Sequence, residues 1–268
     1  MTGPFWAASL YSFKSMCLVA FSWKTQSEFP LIISANRDEF FERPTAKMHQ
    51  WESGFFGGKD LKSGGTWMGF HPSGRWSFLT NYRDFRKMGH GEISRGKLVQ
   101  DFLEDSIPPE DYLKEIEKEK DRYEGFNLLV SDGDQLCYFS NFGKGIQEIK
   151  PGIHGLSNGL LNEPWPKTNL AKKQLEETLD QEISRQKLLE ILKSKNTYPL
   201  ESLPDTGAPK DLEIALSAQL IRANGNYGTR SASAVIWNKK GEISIQERTF
   251  DWNEKSFSDQ VAKFKLEE

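Results

Sequence analysis

Short apolar segments separated by polar turns run along most of the chain, in the pattern expected of β-hairpins. Met16 to Phe21 and Leu31 to Phe40 read as two strands of this kind, and similar segments follow at 66–70, 76–80, 126–130, 136–140, 233–237 and 243–247. Helical spacing of apolar residues predicts helices near 94–104, 110–120, 166–179 and 184–192. Strands, then helices, then strands predict an α+β fold in which antiparallel sheets and helices form separate layers.

Several of the predicted strands end on polar residues. The strand from Leu31 runs into Asn36-Arg37-Asp38-Glu39, a later one ends at Asn81, and a third stops at Ser157-Asn158. Polar side chains that follow separate strands can meet at one end of a sheet. We therefore expect these groups to be the candidates for a functional site.

Composition narrows the classes of function. The chain has 268 residues, a net charge of -3 and a mean hydropathy of -0.62, with charges of both signs interspersed. No basic block predicts nucleic-acid binding, and no apolar run reaches the roughly 20 residues of a membrane span, so stable membrane insertion is not expected. Two cysteines, Cys17 and Cys137, cannot build a disulfide framework, which favours a reducing, cytoplasmic location.

Familiar cofactor and metal motifs are missing from the sequence. There is no GxGxxG motif, no Walker loop and no GxSxG elbow, and the four histidines form no close pair. We therefore predict neither a cofactor nor a metal site. A nucleophilic cysteine remains as the best candidate for chemistry.

Cys17 directly follows Met16, and removal of that methionine would make Cys17 the first residue. Such a cysteine carries a thiol and a free α-amine, whose ordinary pKa of about 7.7–8.0 suits a general base. One residue could then supply both nucleophile and base. We accordingly predict an extension over residues 1–15 outside the fold and a single domain over 16–268. Two alternatives stay open: Cys17 as a small buried hydrophobe, and a Cys17–His154 dyad.

A set of short motifs resembles the NRDE family, also called the transport-and-Golgi-organisation family. Family members begin Met-Cys, which matches Met16-Cys17. The other matching motifs, in chain order, are Ala35-Asn36-Arg37-Asp38-Glu39-Phe40, Gly64-Gly65-Thr66-Trp67-Met68-Gly69, Leu79-Thr80-Asn81-Tyr82, Gly125-Phe126-Asn127-Leu128, Gly155-Leu156-Ser157-Asn158-Gly159 with Pro164-Trp165, and Tyr227-Gly228-Thr229-Arg230.

The family is similar in turn to N-terminal-nucleophile hydrolases of the choloylglycine hydrolase and penicillin V acylase type. That resemblance implies a four-layer αββα sandwich and cleavage of a linear amide through an acyl-enzyme. It also implies a set of site residues: Cys17, Arg37, Asp38, Asn81, Asn158 and Arg230. Those hydrolases separate the early arginine and aspartate by two residues, so Asn36 is an alternative to one of the adjacent Arg37 and Asp38.

Two functional hypotheses follow. The first is a cysteine hydrolase or acyltransferase acting on a small amide or acyl substrate, with Cys17 as nucleophile and Asp38 binding its α-ammonium. Asn81 or Asn158 would then donate to the oxyanion, and Arg37 or Arg230 would favour the thiolate or bind a substrate carboxylate. The second is a non-catalytic carrier for haem or an acyl lipid, with aromatic residues around the cargo. Strand capping, turns and surface ion pairs are the structural alternatives for the same polar residues.

Overall fold

The structure, a computed structural model, describes residues 16–87, 91–223 and 226–267. The extension predicted over residues 1–15 lies outside this range. Within the described residues, no helix combines the length and the apolar character needed to cross a bilayer.

Strands dominate the described residues. They are β1 (Met16–Trp23), β2 (Leu31–Phe40), β3 (Thr45–Gln50), β4 (Phe56–Asp60), β5 (Met68–Phe70), β6 (Trp76–Asn81), β7 (Phe126–Ser131), β8 (Leu136–Ser140), β9 (Gln147–Glu148), β10 (Gly152–Leu156), β11 (Arg222–Ala223), β12 (Tyr227–Trp237), β13 (Glu242–Asp251) and β14 (Ser256–Lys265). The α-helices are α1 (Gly96–Glu104), α2 (Pro109–Lys118), α3 (Pro166–Leu179), α4 (Arg185–Glu190) and α5 (Lys210–Ala215).

All strand pairs are antiparallel and form two sheets. The first sheet has the order β10-β1-β2-β12-β13-β14, with β11 beside β12. The second has the order β3-β4-β5-β6-β7-β8-β9 and follows the chain. The central pair β1–β2 therefore sits between the late strand β12 and β10, so distant parts of the chain meet there.

The two sheets face each other across a large apolar core, and helices cover their outer faces. Phe21, Trp76 and Phe78 are fully buried between the sheets. Helices α3 and α4 pack on the first sheet, while α1 and α2 pack on the second. The predicted α+β class, with two antiparallel sheets between helix layers, is confirmed.

Sequence patterns missed some elements for identifiable reasons. Strand β4 was not predicted, because its sequence Phe-Gly-Gly-Lys-Asp shows no regular alternation of apolar and polar residues. Strand β14 lies at the edge of its sheet and is mostly exposed. Polar residues therefore occupy most of its positions, and the sequence lacks the apolar–polar alternation that would predict a strand. The helix predicted near 94–104 begins at Gly96, with Arg95 at the cap position and no side-chain hydrogen bond capping this end.

Strand β2 is buried on both faces, which decides where its polar residues point. Ile33 and Ala35 belong to the core between the sheets, whereas Ile32 packs against the helix layer. Because side chains alternate along a strand, Arg37 continues the row that faces the second sheet and Asp38 the row that faces the helices. The polar run at the end of β2 is thus divided between two environments.

Replacing Phe21 tests how much the core between the sheets contributes to the stability of the fold. Phe21→Ala should lower the free energy of unfolding by about 3–5 kcal/mol, because the side chain is fully buried and leaves a cavity. Phe257→Ala is the matched control: that ring is 57% exposed and lies against the Arg248 guanidinium, so its loss should cost no more than about 1 kcal/mol. Urea denaturation measures both. Equal losses would mean that the interface between the sheets is not the main core.

Candidate active site

Cys17 lies directly opposite Arg37 in the pairing of β1 with β2. Opposite residues of an antiparallel pair point to the same face, so both side chains face the second sheet. On its other side β1 pairs with β10, where Val19 lies opposite Leu156. Asn158 follows Leu156 by two residues, and the Ser157 hydroxyl donates to the Cys17 carbonyl at 3.0 Å. The cysteine is therefore flanked by the NRDE segment and by the Ser157-Asn158 segment.

A β-bulge brings residues of β12 to both faces of the sheet. Thr229 pairs with Asp38 and Ser231 pairs with Arg37, which leaves Arg230 as the extra residue between them. The Thr229 hydroxyl donates to Asp38 Oδ1 at 2.6 Å on the helix-facing side. On the other side, Arg230 and Ser231 both border a cavity. Without the extra residue, Thr229 and Ser231 would point to the same face of the sheet.

Asn81 and Asn158 are connected by a hydrogen bond. The Asn158 side chain is fully buried and its Nδ2 donates to the Asn81 carbonyl at 2.8 Å. Asn81 ends β6 in the second sheet and borders the same cavity as Arg230. The bond ties the end of the second sheet to the segment that flanks Cys17.

The cavity has a volume of about 500 Å³, and most of the residues that line it are charged or polar. Arg37, Asn81 and Arg230 line it, and Cys17 lies across the strand pair from Arg37 at only 3% exposure. Asp38 and Asn158 do not border it. The structure thus brings three of the six predicted residues to the cavity wall, with Cys17, Asp38 and Asn158 packed immediately behind them.

The Cys17 thiol is not activated in the chain that includes Met16. Burial raises its pKa to about 12, the charge of Asp38 acts in the same direction, and the charge of Arg37 opposes both without prevailing. Burial also raises the pKa of Cys137 to about 12. The positive charge of Arg37 therefore does not set the Cys17 thiol apart from the Cys137 thiol in this form of the protein.

A buried charged cluster behind the cysteine was not anticipated from the sequence. Lys167 in the first turn of α3 is fully buried, its Nζ donates to the Leu216 carbonyl at 2.9 Å, and burial lowers its pKa. The pKa of Asp38 is raised, because the effect of burial exceeds the opposing effect of the Lys167 charge. Arg83 and Glu213 form a buried ion pair close by. A lysine at a helix start normally reads as solvent-exposed, so no sequence signal marked Lys167.

The structure excludes one alternative for the site and gives the surroundings of another. His154 lies opposite Phe21, four residues along β1 from Cys17, which is about 13 Å at the usual rise. Its ring stacks on Phe21 and its nitrogens contact the Lys150 carbonyl and the Asn162 amide, so a Cys17–His154 dyad is wrong. Asn36 Nδ2 donates to the Leu192 and Gln219 carbonyls, which makes it a link between β2 and the helix layer.

Comparison with known families identifies the family of this chain. The family described as Transport and Golgi organisation 2 matches residues 16–252. The chain belongs to this family. The Transport and Golgi organization protein 2 homolog of Bos taurus is 31% identical over 258 residues, covering 87% of this chain and 93% of that protein. The homolog of Homo sapiens is 30% identical over 262 residues with the same coverage.

Solved structures also resemble this member of the family. A Caenorhabditis elegans ortholog of N-acylethanolamine-hydrolyzing acid amidase has a TM-score of 0.46 at 12% identity, over 71% of this chain and 95% of that one. A mutant conjugated bile acid hydrolase from Clostridium perfringens has a TM-score of 0.37 at 8% identity, over 93% and 97% of the two chains.

Thiol labelling checks the electrostatics of the two cysteines. In the folded full-length chain, Cys17 and Cys137 should both react slowly with iodoacetamide at neutral pH, because only the thiolate attacks and both pKa values are raised to about 12. Rates should rise about tenfold per pH unit while the fold persists. Single variants Cys17→Ala and Cys137→Ala, followed by peptide mapping, assign each rate, and the denatured chain supplies the reference. Folded Cys17 reacting as fast as in the denatured chain would contradict this electrostatic account.

Proposed function

We propose that this protein is a cysteine N-terminal-nucleophile hydrolase or acyltransferase that acts on a linear amide of a small substrate, in a form whose first residue is Cys17. One observation supports this above all others. In the pairing of β1 with β2, Cys17 lies opposite Arg37 beside a polar cavity, while Met16 lies opposite Asp38. Loss of Met16 would create an α-amine next to a buried carboxylate.

The proposed reaction uses that amine as the base. The α-amine accepts the thiol proton, and Sγ of Cys17 forms a bond to the acyl carbon of the substrate. The C–N bond then breaks, and the proton passes from the α-ammonium to the leaving amine. Water hydrolyses the thioester with the amine again as base, which releases a carboxylic acid and restores the thiol. An acyltransferase would use another nucleophile in place of water.

Neighbouring residues have separate roles in this proposal. Asn81 lines the cavity and donates to the oxyanion, a contribution whose loss typically costs about 10²–10³ in kcat. Asn158 holds the Asn81 backbone through its amide. Asp38, oriented by Thr229, holds the α-ammonium. Arg37 favours the thiolate through its positive charge.

The alternative function, a carrier for haem or an acyl lipid, finds less support in this cavity. Among the described residues, only Trp67, Leu79 and Ile93 give its wall large apolar side chains, and the other lining residues are charged, polar or glycine. The other buried tryptophans, among them Trp23 and Trp76, pack in the core. An apolar cargo would have to desolvate many charges there.

Comparing two forms of the chain tests the proposed function. One form is the full 268-residue chain and the other begins at Cys17 after removal of Met16, with both start points verified by intact mass. An activated p-nitrophenyl acyl ester and a panel of N-acyl amides serve as acyl donors. We expect p-nitrophenol release, an acyl adduct on Cys17 and amide hydrolysis in the second form alone, because the full chain has an amide in place of the amine.

Cysteine variants provide the controls for that comparison. Cys17→Ala should abolish the adduct and the hydrolysis, whereas Cys137→Ala should change neither, since Cys137 lies on β8 under α2. Equal activity of the full chain would show that the α-amine is not the base. Lack of both acylation and hydrolysis in the form beginning at Cys17 would reject the proposed function.

The titration of Asp38 reports the α-ammonium directly. In the full chain burial raises the pKa of this carboxyl. In the form beginning at Cys17 the new positive charge should lower that pKa, because an adjacent cation favours the carboxylate. Carboxyl ¹³C chemical shifts against pH measure it, with Asp38→Asn to assign the resonance. An Asp38 pKa that is the same in both forms would mean that this carboxylate does not hold the amine.

A further inference from the structure

The cavity wall carries more positive than negative charge. Six basic and four acidic residues line it among the described residues: Arg37, Arg43, Lys47, Lys59, Arg95 and Arg230 against Glu39, Asp60, Glu124 and Glu247. Three of the acids are already engaged by arginines, in the pairs Glu39 with Arg37 and Arg43, Asp60 with Arg43, and Glu124 with Arg95. The excess charge therefore resides on a few identifiable side chains.

Arg37 has a buried donor that nothing satisfies among the described residues. The residue is only 5% exposed, and its Nη2 contacts Glu39 Oε2 at 3.3 Å. Its Nη1 is buried without a hydrogen-bond partner. Buried guanidinium donors are normally paired, so an orphaned one in a cavity wall points to a group that the free protein does not supply.

Arg230 also has guanidinium donors that are available to a ligand. Its Nη1 donates to three backbone carbonyls, those of Phe40, Phe41 and Arg43, at 2.7–3.1 Å. These bonds fix the guanidinium at the bulge of β12. In the described part of the chain no carboxylate lies within ion-pair distance of it, and its Nη2 and Nε make no hydrogen bond. The side chain is therefore held rigidly while part of its fork remains available.

The two arginines lie close together. Ser231, next to Arg230, is the pairing partner of Arg37. Burial is the main cause that lowers the pKa of Arg230, and the charge of Arg37 is the second. Two like charges held in one wall repel each other. Glu39, Asp60 and Glu247 offset part of this repulsion at Arg230, and an anionic ligand between the two guanidinium groups would offset more of it. Both side chains are positioned by β-strands, so this pair is a rigid part of the site.

We propose that Arg37 and Arg230 bind a carboxylate carried by the substrate within a few bonds of the amide that Cys17 attacks; this rests on the proposed function. The short separation follows from the register, in which Arg37 is opposite Cys17. Planar guanidinium forks suit the two oxygens of a carboxylate. A phosphate dianion fits less well, because Glu39, Asp60, Glu124 and Glu247 border the same cavity.

Binding of paired small probes tests this site without any turnover. The full chain with Cys17→Ala is titrated calorimetrically with succinamate, which has a carboxylate on the acyl side, and with N-acetylglycine, which has one on the amine side. Succinamide and N-acetylglycinamide are the neutral counterparts, and inorganic phosphate is the third anion. At least one carboxylate should bind roughly tenfold or more tightly than its neutral counterpart, more weakly as salt rises, and more tightly than phosphate.

Arginine variants assign the binding to the two side chains. Arg37→Gln and Arg230→Gln, each added to Cys17→Ala, should remove the preference for the carboxylate and leave the weak affinity for the neutral probes. Arg185→Gln is the matched control, because Arg185 contacts Ser244 outside the cavity. Thermal denaturation checks folding. If Arg230→Gln does not fold, Arg37→Gln decides, since it removes the orphaned donor and a single ion pair.

The remaining outcomes separate failure of the carboxylate site from failure of the proposed function. Equal binding of charged and neutral probes, no carboxylate binding, or a preference that survives Arg37→Gln would reject a carboxylate site. Tighter binding of phosphate would replace it with a phosphate site. Hydrolysis of neutral amides by the form beginning at Cys17, without carboxylate binding, would leave the proposed function standing. Carboxylate binding without any acylation would leave the site and reject the hydrolase.

Discussion

The site depends on the burial of four consecutive polar residues at the end of a central strand. Asn36, Arg37, Asp38 and Glu39 are each at most 5% exposed. The second sheet covers one face of their strand and the helix layer covers the other. Buried polar groups need partners. Alternation sends Asn36 and Asp38 toward the helices and Arg37 and Glu39 toward the second sheet. Much of the surrounding polar architecture can be understood as the set of groups that these four residues require.

The bulge at Arg230 resolves a geometric conflict created by this division. Asp38 needs a donor on the helix-facing side, and Thr229 supplies it. The cavity side receives Arg230 and Ser231 from the same strand. A regular strand could not place Thr229 on the face opposite Ser231, because residues two apart share a face. The extra residue shifts the alternation, so that one strand supports the buried carboxylate and also contributes to the cavity.

The sequence predicted the arrangement of sheets and helices in layers and part of the site, and the predictions that failed have physical causes. The polar residues at strand ends pointed to Arg37, Asn81 and Asn158, the Met16-Cys17 pair pointed to Cys17, and the family motifs added Arg230. It could not place Asp38 on the face away from the cavity or find the bulge, because both depend on strand pairing between distant segments. Lys167 was missed because burial of a helix-start lysine is decided by tertiary packing.

The electrostatics around Cys17 reveal what the full-length site lacks. Burial pushes the thiol and the Asp38 carboxyl toward their protonated forms and Lys167 toward its neutral form. Asp38 stays shifted although Lys167, Thr229 and Arg37 all favour its ionised form, so further positive charge beside it would relieve the cost of burial. An α-ammonium on Cys17 would carry that charge, in register one position from Asp38. The same nitrogen, once deprotonated, can take the thiol proton, so a single group could balance the buried carboxylate and activate the nucleophile.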